Sequence, residues 1–240
     1  MNKKLIYDLG LHTGQDTEFY LKKGFNVVAI EANPILIREA EQYFASEVDS
    51  GQLKLLNVGI GKERGKFPFY VHKEHSHWSS FDFDIGTQRG DYEIIEVEMI
   101  PLDEVLTEFG TPYYLKIDIE GMDFIALQSL RKFADRPMYV SAENGPPEML
   151  REMVELGYSR FKFINQQTVS NIELPEPARE GSQITWSFPF GASGPFGEET
   201  IGEWLEEGAA LELIKSYWGN PTLDPNIHGW FDLHAKFQDK

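Results

Sequence analysis

The chain reads as an α/β protein built on a mainly parallel sheet, and three features predict this. Apolar runs of strand length alternate with segments of helical periodicity through the first two thirds of the sequence. The opening Ile6-Tyr7-Asp8-Leu9-Gly10-Leu11-His12-Thr13-Gly14-Gln15-Asp16 reads as a strand, a glycine turn and a helix start. Val27-Val28-Ala29-Ile30-Glu31 then forms a second strand ending in a carboxylate, which completes a nucleotide-binding βαβ pattern. With 240 residues, 41% of them hydrophobic and 13% aromatic, the chain can bury a full core.

The elements follow in order. A strand covers residues 5–9, and a short helix over 16–23 stops at Gly24. The second strand spans 26–31. Asn33 caps a helix with Pro34 at its first position, where a missing N–H costs little. That helix runs to about Ser46, with Ile35, Leu36, Ala40 and Phe44 near one face. A third strand covers 53–58. Runs at 67–71 and 94–99 read as an accessory pair of strands flanking an irregular loop rich in His and Asp. Pro101, Asp103 and Glu104 begin a helix over 102–109, the acids favoured by the helix dipole. Strand 113–118, helix 123–133, strand 138–142, helix 147–156 and strand 160–165 complete the alternation. From 166 to 229 proline and glycine become frequent, and Trp186, Phe188, Phe190 and Phe196 punctuate the segment. One helix is expected there, around 199–214, weakened by Gly202 and Gly208. Alternation of Phe231, Leu233, Ala235 and Phe237 predicts a closing strand over 230–237 that returns to the main sheet. One domain over 1–240 is expected: a core of about 1–165 plus the closing strand, with 166–229 as an irregular cover.

Composition excludes several classes. A formal charge of −17 argues against nucleic acid as a main partner and against anionic membranes. The absence of cysteine removes disulfides, thiolate nucleophiles and cysteine-ligated zinc. The first residues enter a strand without a signal-peptide pattern, and no apolar run reaches membrane length, so a soluble cytoplasmic protein is expected.

The first turn discriminates between adenosine cofactors. A dinucleotide site needs G-x-G-x-x-G, whose second glycine admits the pyrophosphate. Counting from Gly10, that position is His12 and the third is Gln15. The imidazole argues against NAD and FAD. Gly10 and Gly14, four apart in D-x-G-x-x-x-G, suit S-adenosylmethionine, which carries no phosphate; alone they would mark only a turn and a helix start. Glu31, followed by Ala32, is expected to accept hydrogen bonds from the ribose hydroxyls. No Arg or Lys occurs in the next six residues to meet a 2′-phosphate.

A second segment, Tyr114-Leu115-Lys116-Ile117-Asp118-Ile119-Glu120-Gly121-Met122-Asp123, joins the first in a family pattern. Together they resemble the FkbM-type family of S-adenosylmethionine-dependent methyltransferases, which pairs D-x-G-x-x-x-G with a later K-[IV]-D-[IV]-E-G. Asn57-Val58-Gly59, Ser79-Ser80 and Leu102-Asp103-Glu104 look like its lesser landmarks, and the similarity covers about residues 5 to 165. The terminal Asp232-Leu233-His234-Ala235 is compatible with it. The resemblance implies the class I methyltransferase (Rossmann-like) fold, a seven-stranded sheet of order 3-2-1-4-5-7-6 with helices on both faces. It also implies methyl transfer to an oxygen, often a hydroxyl of a sugar or other small molecule, with 166–229 covering the acceptor side.

Each candidate residue carries a functional and a structural reading. Asp8 either binds the cofactor's ammonium or fixes the glycine turn. Asn57, Val58 and Gly59 end the third strand, beside the expected adenine. Asp118 lies at the carboxyl end of a central strand, where open α/β sheets bind ligands. Glu120 and Asp123 are site acids or helix caps. Glu143 is a separate acid facing the same cleft. His72, His75 and His77 form H-x-x-H-x-H, a pattern that can hold zinc or supply a base but is more often a plain loop. Ser79 and Ser80 are expected to touch cofactor or acceptor, and the aromatic stretch 185–196 is a lid or a satellite core. Asp118, Glu143 and His75 are the catalytic candidates, since an aliphatic hydroxyl needs a base. A carboxylate pair holding Mg²⁺ is the alternative; the sequence leaves metal need and oligomeric state open. A nicotinamide-dependent oxidoreductase and a non-catalytic cofactor-binding protein are the competing functions.

Overall fold

The computed structural model describes residues 1–88, 90–220, 222 and 229–238. In chain order the elements are β1 (Asn2–Leu9), α1 (Gln15–Lys22), β2 (Asn26–Ile30), α2 (Pro34–Tyr43), α3 (Ala45–Asp49) and β3 (Leu53–Leu56). Next come β4 (Gly59–Ile60), β5 (Gly65–His72), α4 (Phe83–Thr87), β6 (Tyr92–Ile100), α5 (Leu102–Phe109) and β7 (Pro112–Ile117). The rest are α6 (Asp123–Ser129), β8 (Tyr139–Glu143), α7 (Pro147–Glu155), β9 (Tyr158–Asn165), α8 (Glu207–Trp218) and β10 (Phe231–Phe237).

The large sheet has seven strands in the order β3-β2-β1-β7-β8-β10-β9, and only β10 runs antiparallel to its neighbours. Counting the strands of this sheet alone gives 3-2-1-4-5-7-6, the class I methyltransferase order. The accessory strands pair separately as β4-β6-β5. Strand order reverses between β1 and β7, which opens a crevice at the carboxyl ends of those two strands.

Each face of the large sheet buries its own core. Tyr7, Leu9, Val28, Leu115, Ile117, Val140, Leu233 and Ala235 pack under the side of α5, α6, α7 and α8. Ile6, Val27, Ala29, Tyr114 and Tyr139 pack under α1, α2 and the residue 166–205 cover, which inserts Val169, Phe188 and Phe196. Tyr114 stacks flat on Phe196 with ring centroids 4.6 Å apart. The cover-side face also carries polar residues, because side chains alternate along each strand. Register aligns Asp8, Lys116, Ser141, His234 and Lys162 in one row across five strands. One step nearer the crevice, Glu143 lies opposite Asp232.

Four of the boundaries that differ from the sequence expectation have a clear physical cause. The helix begun at Pro34 breaks at Phe44, whose φ of −101° and ψ of 28° leave the helical region, and α3 restarts after it. The strand expected over 53–58 ends at Leu56, because Gly59–Ile60 leaves the large sheet to pair with β6. Helix 123–133 finishes as a 3-10 turn over Leu130–Lys132. The helix expected around 199–214 instead runs Glu207–Trp218. Glu199 is held in a buried ion pair, Gly202 takes a φ of 77°, and Leu205 bridges to Phe161 in extended conformation, so a helix cannot begin before them. Residues 221 and 223–228 of the expected cover lie outside the described residues. Among the described residues, no helix is long and apolar enough to cross a membrane.

The cover is fixed to the sheet by buried polar contacts. Lys23 Nζ and Glu199 Oε1 lie 2.9 Å apart with side chains 1% and 0% exposed. The same oxygen accepts the backbone N–H groups of Arg179 and Glu180. Tyr113 donates to Glu180, Tyr139 to Glu198, and Lys162 to the carbonyl of Thr200. Breaking a buried pair from one side leaves an uncompensated charge. Lys23→Ala should therefore cost about 3–5 kcal/mol in urea unfolding, with the double variant Lys23→Met/Glu199→Leu recovering most of it. A loss below about 1 kcal/mol for Lys23→Ala, as for an exposed ion pair, would show that the pair does not hold the cover.

Candidate active site

The crevice is organised around one ammonium. Lys116 Nζ donates to Asp8 Oδ1 at 3.1 Å and to the Gly10 carbonyl at 3.2 Å. It also lies 3.3 Å from both Asp16 Oδ2 and Asp118 Oδ2. Burial opposes this charge, but Asp8, Asp118 and Asp16 more than offset it, so the pKa stands well above that of a free lysine. Burial raises Asp16, with Lys116 pulling it back. The hydroxyl of Thr17 donates to Asp8 Oδ2 at 2.6 Å, so both oxygens of that fully buried carboxylate are engaged. Asp8 sits beneath the cleft and does not line it.

Gly10 lets the first loop meet the end of β7. Its φ is +89°, and a Cβ there would lie 1.8 Å from the carbonyl oxygen of Asp118. Among the described residues, three that are not glycine also adopt left-handed backbone, His12, Glu120 and Asn144, with φ of 48°, 42° and 52°. They occupy the loops after β1, β7 and β8, so unusual backbone gathers at one edge of the sheet, as it does at functional sites.

The cleft encloses about 870 Å³ including its open mouth. Glu31, at the end of β2, lines it and is 9% exposed. Glu31 Oε2 accepts the His12 N–H at 2.9 Å and Oε1 accepts the Asn33 N–H at 2.8 Å. Each oxygen keeps a lone pair for a further donor. Burial raises this carboxyl, and the two N–H groups oppose the rise. Ala32 lines the cleft next to it. Asn57 does not line it and instead braces the loop, donating to the carbonyls of Glu31 and Ala32 at 2.9 and 3.1 Å. Val58, Ile30, Ile60 and Phe81 form an apolar wall. Gly59 makes that wall possible, since a Cβ there would lie 2.3 Å from the Phe81 ring. Gly14 caps α1 in left-handed conformation, packed beneath Phe44, and is not a lining residue.

The histidine loop divides its roles. His77 lines the cleft and His75 does not. His72 is buried, and its Nδ1 accepts the N–H groups of Glu74 and His75, which shapes the loop. His12 Nε2 and Ser76 Oγ are 2.8 Å apart. Burial first, then the neighbouring His77, lowers the pKa of His12; burial and then His75 lower that of His77. Ser79 lines the cleft, while Ser80 is buried and donates to the Glu120 carbonyl at 2.5 Å.

Acids gather at the ends of β7, β8 and β10. Asp118 and Glu120 line the cleft; Glu143 does not, although its carboxylate approaches theirs. Among the described residues, these three offer ligand oxygens within 4.8 Å of one another, whereas the three histidines form no such group. Burial first, then Asp118, raises Glu143 and Asp232 well above the usual carboxylate range, and Asp123 is pushed up to about 6 by the same two causes in that order. Asp123 accepts the N–H groups of Ile119 and Gly121. Lys116, Asp16, Phe81 and Asp232 were not anticipated as site residues, and His77 was named only as one of the three histidines of its loop. A lysine inside an otherwise apolar strand was the available signal for Lys116, whereas Asp232 emerges only from strand register.

A carboxyl whose pKa is higher folded than unfolded holds a proton that the unfolded chain releases, so it destabilises the fold as pH rises between the two values. Asp123, Glu143 and Asp232 all have this sign. Asp232→Asn removes one such group and should be more stable than wild type by about 1–2 kcal/mol at pH 7, with the gain shrinking towards pH 4. Urea unfolding across that range checks it, and a gain that stays flat or grows on acidification would contradict the assignment.

Comparison with known proteins places the chain. The family model of the methyltransferase FkbM domain matches residues 8–160. No curated protein matches. A solved methyltransferase FkbM from Methylobacillus flagellatus KT is 17% identical with TM-score 0.43, over 64% of this chain and 35% of that one. This chain therefore spans about a third of that protein. The precorrin-6y C5,15-methyltransferase of Geobacter metallireducens GS-15 is 8% identical with TM-score 0.43, over 98% and 80% of the two chains. An SAH-bound methyltransferase of Podospora anserina is 10% identical with TM-score 0.34, over 98% and 72%. At such scores these likenesses carry no weight of their own. The match over residues 8–160 spans the first loop, Glu31 and the Lys116–Asp123 segment, and the chain belongs to the FkbM methyltransferase domain family.

Proposed function

We propose that the chain is an S-adenosylmethionine-dependent methyltransferase acting on a hydroxyl of a small molecule or sugar, folded as a single domain. The observation that carries this reading is Glu31, which faces the cleft with unspent lone pairs beside an apolar wall. That pairing suits an adenosine, with ribose hydroxyls donating to Glu31 and the base against Val58, Ile60 and Phe81. The first loop and Asp118 would hold the amino-acid end. His12 stands where a dinucleotide turn needs glycine, and Ser76 fixes its ring, so a pyrophosphate has no approach. When bound, S-adenosylmethionine supplies a methyl group on a positively charged sulfur. The surrounding carboxylates favour such a cation.

The chain's own task is to align the acceptor, exclude water and take its proton. The cover contributes Gly191 to the cleft, and the N–H of Ser193 donates to Asp16 at 2.9 Å, holding the cover against the first helix. Asp118 lines the cleft into which an acceptor hydroxyl would come, and Glu143 brings its carboxylate up behind it. Burial and Asp118 raise the carboxyl of Glu143, which makes its ionised form a stronger base than an ordinary carboxylate. From the histidine loop, His77, which lines the cleft, is the candidate base beside His75.

Calorimetry should detect binding of S-adenosylmethionine and none of NAD(H). Glu31→Ala should weaken cofactor binding by about 1–3 kcal/mol. Glu143→Gln should lower turnover by about 10²-fold or more while leaving that binding intact. Turnover is read by mass spectrometry as methylated product from a hydroxylated metabolite pool. Affinity unchanged in Glu31→Ala, or preferential binding of NAD(H), would overturn the reading.

A further inference from the structure

We propose that the carboxylate edge at the ends of β7, β8 and β10 is a binding site for one divalent cation of the oxygen-seeking kind, such as Mg²⁺ or Mn²⁺. Asp118, Glu120 and Glu143 are the ligands, with Asp232 completing the negative pocket. The three ligands are half-buried, and their oxygens converge within 4.8 Å. A donor set made only of carboxylate oxygen, without sulfur or imidazole, selects hard cations over zinc.

Asp232 supplies the independent observation. It is 6% exposed and lies directly opposite Glu143 in the β8–β10 ladder, on the same face. Among the described residues, neither the Asp232 nor the Glu143 carboxylate receives a hydrogen bond or ion pair. A buried carboxylate without a donor is costly unless it is neutralised. The ammonium of Lys116 is already shared among Asp8, Asp16 and Asp118. Among the described residues none neutralises the Asp232 and Glu143 carboxylates, which leaves the role to a metal ion or to a proton trapped between the two acids. Convergence of Asp118 and Glu120 on the same point favours the metal ion, since one proton serves only two oxygens.

The site stands on its own geometry, but its use rests on the methyl-transfer reading. A cation beside the cleft would polarise an acceptor hydroxyl and lower its pKa, leaving the carboxylate oxygens not spent as ligands to take the proton.

Electron paramagnetic resonance of Mn²⁺ titrated into the full chain tests the proposal. One Mn²⁺ should bind per chain and be displaced by excess Mg²⁺. Asp232→Asn and Glu143→Gln should each weaken it by about 10-fold or more. Both variants remove like-charge repulsion, so without metal they should melt no lower than wild type. A measurement needing no variant is amide broadening by substoichiometric Mn²⁺, expected first at residues 118–123 and 143–145. Broadening spread over the acidic surface, absence of a stoichiometric site, or equal affinity in the variants would overturn the site and leave a shared proton. Calorimetry with S-adenosylmethionine on the same sample separates the two readings. Mn²⁺ binding without cofactor binding would sink the methyl-transfer reading alone, and the reverse would sink the cation alone.

Discussion

The ammonium of Lys116 is the interaction on which the site depends. It comes from the middle of the sheet and binds three carboxylates carried by β1, α1 and the end of β7, together with the carbonyl of Gly10. Those partners belong to the first loop and to the strand across the switch point. One charge thus fixes the spacing of the two loops that frame the crevice. Buried charges are affordable only when fully paired, and here the pairing also sets the geometry. Removing the lysine would leave Asp8 and Asp16 buried with no counter-charge, a loss that structure and site would feel together.

Around this centre the molecule separates two kinds of cover. Towards the side of α5 to α8 the sheet is sealed by apolar packing of the ordinary sort. Towards the first helix it carries a row of polar side chains, and the 166–205 segment closes over that face, the Thr200 carbonyl accepting from Lys162. An irregular segment can be this firmly seated because its irregularity frees backbone N–H and carbonyl groups to meet buried side chains. Glu199, which accepts two such N–H groups and an ammonium, is the clearest case. The cover thereby becomes part of the wall of the cleft.

Much of this was legible in the sequence because the relevant signals are local. Alternation and capping placed every strand of the large sheet, and α5 runs Leu102–Phe109 as predicted from Pro101 and its acidic first turn. Glu31 was legible because a strand end and the following helix cap position it within a few residues. The start of α8 was not, because it is decided by the pairing of Glu199 with Lys23, distant in the chain. His77 could not be told from His75, since spacing within a loop does not say which ring turns inward. Asp232 appeared only as one residue of an alternating strand. Its place beside Glu143 is a matter of register between strands far apart in sequence.

The position of β10 has a consequence for how the chain emerges from the ribosome. β9 joins the sheet only through β10, which inserts between it and β8. Until residues 231–237 have been synthesised, β8 ends the sheet with a bare hydrogen-bonding edge and β9 has no strand to join. Two unpaired strand edges in a nascent chain invite pairing with other molecules. The large sheet is accordingly completed only once residues 231–237 have been made, and a fragment ending before them would be aggregation-prone although it already contains nearly all of the proposed ligand cleft.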